Sequence, residues 1–570
     1  MIRITELRLP LNHAEDALRP AVVARLGLQD AELAAFTVFR RGYDARKKRD
    51  IWLVYTVDCE LAPGVDQAAL LARFAVDHHI RPTPDTGYHF LAQIGKDGGD
   101  FTGPRPVVVG FGPCGIFAAL ILAQMGLRPI VLERGKQVRE RTQDTWGLWR
   151  EQRLTPESNV QFGEGGAGTF SDGKLYSQIS DPRHLTRKVL TEFVKAGAPE
   201  EILYVSKPHI GTFRLVSMVI KIRAEIERLG GEIRFQQKVT DLLIEDGAVR
   251  GVQLESGEQI DTRHVVLALG HSARDTFTML HARGVFMEAK PFAIGYRIEH
   301  PQSIIDAARF GPNAKHPLLG AADYKLVHHA ANGRAVYSFC MCPGGTVVAA
   351  TSEPERVVTN GMSQYSRNER NANAGIVVNI SPEDYRQDGK RDGSPVSPLD
   401  GMAFQRFWES RAYELGGGGY LAPASLVGDF VKRQKSAALG SVEPSYKPGV
   451  TLVDLQQKAR GSLPDYCLDA IREAIPAFAK QIPGFDRADA VFTGVETRTS
   501  SPLRVTRGRD YQSLNVRGLF PAGEGAGYAG GIMSAGVDGI EVAEALAADL
   551  LNLPDAPVLK GKASKAGGQS

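Results

Sequence analysis

Three glycines near residue 110 have the spacing of a turn that binds the pyrophosphate of a dinucleotide. Residues 107–127 read VVVGFGPCGIFAALILAQMGL, so an apolar run leads into Gly110, Gly112, Pro113 and Gly115 and then into an Ala/Leu/Ile-rich segment. The first glycine permits a tight turn, the second lets the backbone approach the pyrophosphate, and the third lets a helix pack closely on a strand. The unpaired N–H groups at the start of that helix would face the pyrophosphate charge.

A second apolar run, PIVLERG, follows and ends at Glu133 and Arg134. A carboxylate at this distance from the glycine turn can accept hydrogen bonds from the ribose hydroxyls of a dinucleotide. The charge-free stretch before it is long enough to be read as a membrane-spanning helix. Its glycines and proline favour a strand followed by a buried helix instead, so the chemistry predicted here is dinucleotide binding.

Another glycine-rich signature lies near the C-terminus. Residues 518–532 read GLFPAGEGAGYAGGI, and a helical segment follows. A strand that ends at Gly523 and Glu524 would present a carboxylate to the ribityl hydroxyls of a flavin. Backbone N–H groups of Gly531 and Ile532 would face the flavin N1 and C2 carbonyl, where a helix N-terminus stabilises negative charge on the reduced ring. The alternative is an ordinary glycine-rich turn before a helix.

A third segment, GEGGAGTFSDGK, contains too many glycines for a stable helix or strand. We expect Gly165 and Gly166 to let this segment lie flat against the cofactor. Thr169 and Ser171 would donate hydrogen bonds, and Lys174 would face a phosphate or the flavin N1. The alternative is a flexible surface loop.

Several polar side chains are candidates for catalysis. His209, in KPHIGT, is a candidate general acid or base because the ordinary pKa of histidine lies near neutrality. Arg297, Arg498 and Arg504 are candidate clamps for a carboxylate or another anion, because a guanidinium presents a bidentate fork. The last two precede the second flavin signature, so we expect them near the ring. A structural histidine and structural salt bridges are the alternatives.

Cys340 and Cys342 lie in SFCMCPGG and would share one face of a strand, with Met341 opposite. A disulfide between them would close a very small, strained ring, so we expect no stable bond. Two interpretations stay open: a redox-active pair that relays electrons from a flavin, or two small buried side chains before a Pro-Gly-Gly turn.

The composition excludes several classes of protein. The 570 residues carry 68 basic and 65 acidic side chains, a net charge of +3, so no general attraction to DNA or to a membrane is predicted. The five cysteines are scattered without a CxxC pair, which indicates neither a disulfide framework nor a metal site. The first residues carry charges where a signal peptide needs an apolar core. We therefore expect a soluble, cytoplasmic protein.

The elements that must position these residues fall into five stretches. Residues 1–100 have a β-α-β-β-α pattern and predict a separate N-terminal α+β module. The nucleotide-binding domain would occupy residues 104–290 and continue in 485–553. A β-rich domain, 291–484, would be inserted between the two parts, and the tail 554–570 would be disordered.

The N-terminal module contains RRGYDARKKRD at residues 40–50, between its two middle strands. One interpretation is a contact with RNA or another anionic partner. The other is a solvated hairpin, which we favour. Further on, residues 232–270 predict a meander of short strands whose last member, VVLALG, returns to a parallel sheet.

Together the glycine signatures resemble the two-part FAD-binding domain of the glutathione-reductase-like flavoproteins. Over nearly its whole length the chain resembles more closely a bacterial family described as uncharacterised FAD-dependent or NAD(FAD)-utilising dehydrogenases. The blocks that carry this resemblance are QFGEGGAGTFSDGKL, KPHIGT, YRIEHPQ, SFCMCPGG, TNGMSQYSRN and ETRTSSPLR. The resemblance implies that Val239 contacts adenine through its backbone and that Gly270 ends a core strand beside the cofactor.

The resemblance implies an α/β fold: a discontinuous, glutathione-reductase-like (Rossmann-type) FAD-binding domain, with an inserted β-rich substrate domain and the N-terminal α+β module. It implies an FAD-dependent oxidoreductase that exchanges a hydride between flavin N5 and an unidentified small molecule, anionic if the arginines clamp it. NAD(P)H is a candidate electron donor, although no dedicated domain for it is visible. The alternatives are a flavin-dependent RNA-modifying enzyme, a non-catalytic flavin-binding regulatory protein and a flavin monooxygenase.

Overall fold

The computed structural model describes residues 1–95, 101–386, 396–457, 461–553 and 556. Part of the predicted linker at 96–104 lies outside the described residues, and so does the predicted disordered tail except for Ala556. Within the described ranges, no helix combines the length and the apolar composition that a membrane crossing requires.

The N-terminal module is a four-stranded sheet with helices packed against it. Its elements are β1 (Ile2–Pro10), α1 (Leu18–Leu26), β2 (Leu33–Asp44), β3 (Trp52–Leu61), α2 (Gln67–Arg73) and β4 (Ile80–Pro82). The strand order is β2-β3-β1-β4, and β3 alternates between buried and half-buried residues, as a strand with one covered face should. The predicted β-α-β-β-α order is confirmed, and β4 was not predicted.

Strand β2 is longer than the sequence pattern suggested. The prediction placed the whole basic segment, residues 40–50, between two strands. The structure pairs residues up to Asp44 with β3, so only the second half of the segment forms the turn.

The nucleotide-binding region alternates strands and helices. Its first part contains β5 (Val107–Val109), α3 (Pro113–Gln124), β6 (Ile130–Glu133), α4 (Val138–Glu151), α5 (Leu185–Lys195), α6 (Thr212–Arg228), β7 (Glu232–Phe235), β8 (Val239–Glu245), β9 (Ala248–Leu254), β10 (Gln259–Asp261), β11 (Val265–Leu267), α7 (Arg274–Ala282) and β12 (Met287–Ala289). Strands β8, β9 and β10 form the predicted antiparallel meander. Strand β7 pairs instead with β6 in the parallel sheet, because it continues that sheet at its edge.

The inserted region is built on one large sheet. Its elements are β13 (Phe292–Pro301), α8 (Gln302–Phe310), β14 (Val327–His329), β15 (Ala335–Ala349), β16 (Thr359–Ser363), β17 (Asn371–Ile380), α9 (Asp400–Gly416), β18 (Ala422–Leu426), α10 (Val427–Lys432), β19 (Val450–Leu452), α11 (Asp465–Ala479) and β20 (Val491–Glu496). The strand order is β14-β15-β17-β13-β20-β18-β19, with β16 paired to β15. The predicted end of this domain at residue 484 falls too early, because β20 hydrogen-bonds to β13 and β18 inside the sheet.

The chain then returns to the nucleotide-binding region with β21 (Leu503–Val505), β22 (Leu519–Pro521) and α12 (Ile532–Leu550). Strand β22 joins β11 in a parallel sheet of order β22-β11-β5-β6-β7. Helices α3 and α12 pack tightly together at Gly539. A Cβ at this position would lie only 2.3 Å from the carbonyl oxygen of Cys114, so the contact requires glycine. The two halves of the region therefore share one sheet and one core.

Candidate functional site

The glycine turn after β5 has two glycines that the fold itself requires. Gly110 has φ +99°, and a Cβ there would lie 2.4 Å from the carbonyl oxygen of Ala268 on the neighbouring strand end. A Cβ at Gly115 would lie 2.0 Å from the carbonyl oxygen of Gly110, so only glycine lets α3 approach the strand. These are the roles predicted for the first and third glycines.

Gly112 differs from these two glycines. Its φ is −80°, which any residue adopts, and the nearest heavy atom to a Cβ would be Gly166 Cα at an ordinary 3.6 Å. The folded chain therefore leaves room for a side chain at Gly112. This glycine faces a cavity directly ahead of α3, where a bound group could approach the backbone.

The cofactor cavity, as we call it, has a volume of about 450 Å³ and runs from the glycine turn to the inserted sheet. Most of the residues predicted to bind the cofactor line it: Gly110, Gly112, Pro113, Glu133, Arg134, Gly166, Lys174, Val239, Gly270, Gly523, Glu524, Gly531 and Ile532. Cys340 and Arg498 line its other end. Both glycine signatures and the inserted domain thus meet at one cavity.

Glu133 ends β6 at the cavity wall. Its carboxylate accepts hydrogen bonds from the backbone N–H groups of Phe111 and Gly135, each at 2.8 Å, and of Gly163 at 2.9 Å. A carboxylate offers about four acceptor positions, so one remains for a ribose hydroxyl. The beginning of the glycine-rich loop is held in place by the same side chain.

Arg134 lies beside Glu133 and is committed to other groups. Its guanidinium pairs with Glu157 at 2.6 Å and with Asp275 at 2.8 Å, and it lies 4.2 Å from the ring centroid of Phe162. The arginine therefore shapes the cavity edge through structural ion pairs.

The glycine-rich loop is rigid because of Arg141, a residue that the sequence analysis missed. Its fully buried guanidinium donates hydrogen bonds to five backbone carbonyls, those of Asn159, Val160, Gly163, Glu164 and Gly166. Burial lowers the pKa of Arg141 to about 10, so the side chain stays protonated at neutral pH. The beginning of the glycine-rich segment, up to Gly166, is therefore anchored by a buried side chain.

Thr169 and Ser171 do not present the predicted hydrogen-bond donors to the cavity, and Gly165, predicted to lie flat against the cofactor, is not among the residues that line it. A Cβ at Gly165 would lie 2.1 Å from Thr169 Oγ1, and that buried oxygen has no partner in the described part of the chain. Thr169 is therefore folded behind the loop. Ser171 reaches the cavity wall, but its hydroxyl donates to the carbonyl oxygen of Gly168 at 2.7 Å.

The second glycine signature places a carboxyl group in the cavity. Gly531 caps the N-terminus of α12, which begins at Ile532, and Glu524 lines the same wall. Burial raises the pKa of Glu524 to about 7, although Lys290 and the backbone N–H of Gly531 oppose it. The described residues provide no side-chain hydrogen-bond partner for this carboxyl. A cradle of open backbone at Gly112 and the carboxyl of Glu524, to which no described side chain donates a hydrogen bond, together fit a flavin dinucleotide.

Arg297 does not have the role predicted from the sequence, that of a clamp for an anionic substrate. It is fully buried on β13 and binds Glu496 through Nε and Nη2, at 2.8 and 2.9 Å. Its remaining hydrogen bonds go to Asn373, Asn360 and the carbonyl oxygen of Cys340. The guanidinium therefore offers no free fork to a substrate and acts as a buried structural ion pair.

Arg498 lines the cavity but is also engaged. Its Nε and Nη2 atoms bind both oxygens of Glu409, and Nη1 donates to Ser272 and Ser352. Arg274 binds the same carboxylate from the other side at 2.7 Å. Burial raises the pKa of the Glu409 carboxyl, but the two arginines outweigh this effect and hold that pKa well below its usual value.

His209 and Arg504 lie outside the described lining of the cavity. His209 Nε2 lies 2.9 Å from the carbonyl oxygen of Tyr365, and its ring stacks on that of Tyr365. Burial, with Arg367 nearby, lowers the pKa of His209. Arg504 lies on β21 against the ring of Tyr528. Neither side chain is placed for the proton transfer or anion binding predicted for it.

The two cysteines do not follow regular strand alternation. The pairing of β15 with β17 shifts between Phe339 and Cys342, and Cys340 has φ +42°. This irregularity brings the Cys340 side chain to the cavity wall and leaves Cys342 buried behind it, with both thiols free. It also turns the carbonyl of Met341 toward Lys174, whose ammonium group donates a hydrogen bond to it.

His271 is a further cavity residue that the sequence analysis missed. It directly follows Gly270, and its Nδ1 lies 2.9 Å from Ser272 Oγ. Burial, with Arg498 and Arg274 nearby, lowers the pKa of His271 to about 3, so the ring is neutral. Its place immediately after the motif VVLALG was the available signal.

Comparisons with known proteins bear on the same regions. A family model described as "FAD-dependent protein, C-terminal domain-like" matches residues 291–499, and one described as "FAD dependent oxidoreductase" matches residues 179–310. A domain of unknown function matches residues 1–60. An uncharacterized protein of Clostridium beijerinckii is 48% identical over 548 residues, which cover 95% of this chain and 98% of that protein.

Solved structures are more distant. L-proline dehydrogenase from P. horikoshii has a TM-score of 0.33 and 13% identity, over 80% of this chain and 95% of that one. Glycine oxidase from Bacillus cereus has a TM-score of 0.30 and 10% identity, over 78% and 96% of the two chains. Likenesses of this size support no inference about the substrate.

Proposed function

The chain belongs to the same family as the Clostridium beijerinckii protein and is an FAD-dependent oxidoreductase, and from this premise we propose how its residues divide the work. The nucleotide-binding region is of the glutathione-reductase-like type, assembled from two separate stretches of chain. The enzyme transfers a hydride between the flavin and a small molecule. The observation that carries this proposal is the single cavity lined by both glycine signatures and by the inserted sheet.

The adenosine and pyrophosphate would be held largely by backbone. Glu133 has one acceptor position left for a ribose hydroxyl, and Val239 lines the wall where adenine would lie. Gly112 leaves the backbone bare ahead of α3, whose N-terminal N–H groups face the cavity and favour the pyrophosphate charge.

The flavin would lie toward the second signature and the inserted sheet. Glu524 would accept hydrogen bonds from the ribityl hydroxyls, and the N-terminus of α12 at Gly531 would stabilise negative charge beside the ring. FAD, when bound, supplies the two-electron chemistry at N5.

The substrate would occupy the part of the cavity between the second signature and the inserted sheet. Lys174 brings a cation to this wall, and Cys340 and Asn360 face the same space. Arg297 and Arg498 would act indirectly: the first fixes the Cys340 carbonyl and Glu496, and the second fixes Ser272 and Ser352. The guanidinium groups of Arg297 and Arg498 are occupied, so an anionic substrate would meet Lys174, whose ammonium group also contacts the Met341 carbonyl and lies 3.9 Å from Asp172.

The first experiment is a visible spectrum of the purified protein and of Gly112→Trp. Wild type should show oxidised-flavin bands, and the variant should be colourless, since an indole would fill the space where the backbone meets the pyrophosphate. Ser256→Trp, on an exposed turn, is the matched control and should keep its flavin. A folded Gly112→Trp protein with normal flavin content would refute the assignment of this turn.

The second experiment is anaerobic addition of NADPH or NADH to the yellow protein. Rapid bleaching of the flavin bands would identify a nicotinamide as a direct electron donor. Persistent bands would direct the search to a substrate or protein donor.

A further inference from the structure

A second cavity, of about 530 Å³, lies where the N-terminal module meets the rest of the chain. Its walls come from three parts of the sequence: β1 and β2 of the module, the loop before α6, and the end of α8. We call it the seam cavity, and the charged and phenolic side chains that line it are those of Glu6, Arg8, Arg40, Tyr43, Asp44, Arg46, Lys207 and Arg309. None of these residues belongs to the cofactor cavity.

The basic segment that forms one wall is docked on the protein. The N–H of Arg41 donates to the carbonyl oxygen of Tyr204 at 2.6 Å, and the N–H of Ser206 donates back to the carbonyl of Arg41 at 2.8 Å. At the turn, Asn313 Nδ2 donates to the carbonyl oxygen of Lys48 at 2.7 Å. The seam cavity is therefore a fixed feature of the fold, and the segment is not a free hairpin.

The charges around the seam cavity do not balance. Three of its five cationic side chains pair with carboxylates: Arg8 with Glu6, Arg46 with Asp44 and Lys207 with Asp323. Arg40 and Arg309 have no ion pair among the residues that the structure describes. Two guanidinium groups from different parts of the chain thus line one concave space without a close ion-pair partner, while its two carboxylates, those of Glu6 and Asp44, pair with Arg8 and Arg46.

Tyr43 adds a neutral donor to the same wall. Its ring packs edge-on against Phe310, with the centroids 5.7 Å apart. Burial, with Asp323 nearby, raises the pKa of Tyr43 to about 12, so its hydroxyl keeps its proton. No described residue accepts a hydrogen bond from this hydroxyl, so it is available to a ligand.

We propose that the seam cavity binds a small-molecule dianion of the phosphate class, with Arg40 and Arg309 as its two charged contacts and Tyr43 as a hydrogen-bond donor. Two unpaired guanidinium groups match two negative charges, and the guanidinium fork matches the geometry of phosphate oxygens. The cavity is a concave space between three parts of the chain, with Arg40 and Arg309 exposed at its edge, whereas RNA binding requires an extended basic surface. This inference does not depend on the proposed flavin chemistry.

The seam cavity borders the cofactor cavity through one layer of side chains. Lys207 lines the first, and its ammonium group lies 2.8 Å from Asp323. Tyr176 lines the second, and its hydroxyl lies 3.5 Å from the same carboxylate. The N-terminal module therefore completes a binding site next to the redox site.

Calorimetric titration of the flavin-loaded protein tests the proposal. Inorganic phosphate and glycerol 3-phosphate are the probes, and acetate is the monoanion control. We expect the phosphates to bind and acetate not to bind. The double variant Arg40→Gln/Arg309→Gln should raise the dissociation constant at least about tenfold, since each charge-assisted hydrogen bond is strong. Arg309→Gln alone should give a smaller increase.

Arg139→Gln removes one exposed arginine from α4, outside both cavities, and should leave phosphate binding unchanged. Flavin content should stay normal in all these variants, which separates this test from that of the proposed function. Tighter binding of the ester would support an organic phosphate, and equal or tighter binding of inorganic phosphate would support the free ion. Absence of phosphate binding, or binding unaffected by the double variant, would overturn the proposal. So would binding only of a short RNA oligonucleotide.

Discussion

The two ends of the cofactor cavity are built by different means. At the end that we propose for the nucleotide, the wall consists of bare backbone at Gly112 and of one carboxylate, that of Glu133, held by N–H groups. At the end formed by the inserted sheet, buried ion pairs join Arg297 to Glu496 and Arg498 to Glu409. The first end leaves backbone open to a ligand. At the second end, Arg297 and Glu496 join two strands of one sheet, and Glu409 joins the inserted region to Arg274 of the nucleotide-binding region.

Of the changes considered, removal of Glu409 should lower the free energy of unfolding the most. Glu409→Ala would leave Arg274 and Arg498 buried without their shared carboxylate, and breaking a buried pair in this way costs about 3–5 kcal/mol. Urea unfolding measures the loss. Glu414→Ala, which removes an exposed partner of Arg411 on the same helix, should change stability by less than about 0.5 kcal/mol. Equal losses in both variants would contradict the structural role of Glu409.

The glycine turn allows a comparison within the first end. Gly110→Ala places a side chain at φ +99° and against the Ala268 carbonyl, so the apoprotein should lose about 1–3 kcal/mol. Gly112→Ala should leave apoprotein stability within about 0.5 kcal/mol and weaken FAD binding instead. Unfolding of the apoproteins and fluorescence titration with FAD separate the two effects. The assignment fails if Gly112→Ala binds FAD as tightly as wild type.

The raised pKa of Glu524 predicts that the stability of the apoprotein depends on pH. Its pKa in the folded chain is about 7, above the usual value of a glutamate, so the unfolded chain releases this proton first as pH rises. The contribution of Glu524 to stability should therefore fall between about pH 4.5 and 7. The effect should not exceed about 2 kcal/mol, because the carboxyl faces an accessible cavity.

Urea unfolding at pH 5 and pH 7.5 measures this slope. Glu524→Gln should flatten it, and Glu140→Gln, on the exposed face of α4, should not. A slope that survives in Glu524→Gln would mean that another group titrates.

The smallest expected effect concerns the cysteines, because it is a difference in the rate of alkylation and not in stability. A hydrogen bond from the Cys342 thiol, with Arg297 and Lys174 nearby, lowers the pKa of Cys340, and the same bond raises that of Cys342. Iodoacetamide at pH 7 should therefore alkylate Cys340 of the native apoprotein first, which peptide mass analysis would detect. Cys340→Ser should abolish this reaction and Cys59→Ser should not. Earlier labelling of any other cysteine would contradict the assigned environment.

The sequence predicted the nucleotide end of the cavity better than the end formed by the inserted sheet. The glycine signatures are local, because each needs only a strand, a turn and a helix in succession, and the structure places both at one parallel sheet. Whether Arg297 and Arg498 are free to bind a substrate depends on their partners Glu496 and Glu409, which lie far away in the chain. The spacing of residues in the sequence does not show these pairs. Arg141 was missed for the same reason, since its five acceptors are carbonyls of a loop.

Backbone irregularities account for other differences. Cys340 and Cys342 were expected to occupy regular positions on one face of a strand, but the pairing of β15 shifts between Phe339 and Cys342, so Cys340 lines the cavity and Cys342 is buried. Thr169 was expected to face the cofactor, but it turns under Gly165. The boundary at residue 484 missed β20, because this strand pairs with residues that precede it by most of a domain.

The division of the parallel sheet has a consequence for biosynthesis. Strand β22 and helix α12 close the site that β5 and α3 open, and they stand at opposite ends of the nucleotide-binding region in the chain. A ribosome must therefore release nearly the whole polypeptide before the flavin pocket exists. A chain that is cut short before β22 has the first glycine turn but no second wall. A bound flavin would thus mark a chain that extends through α12.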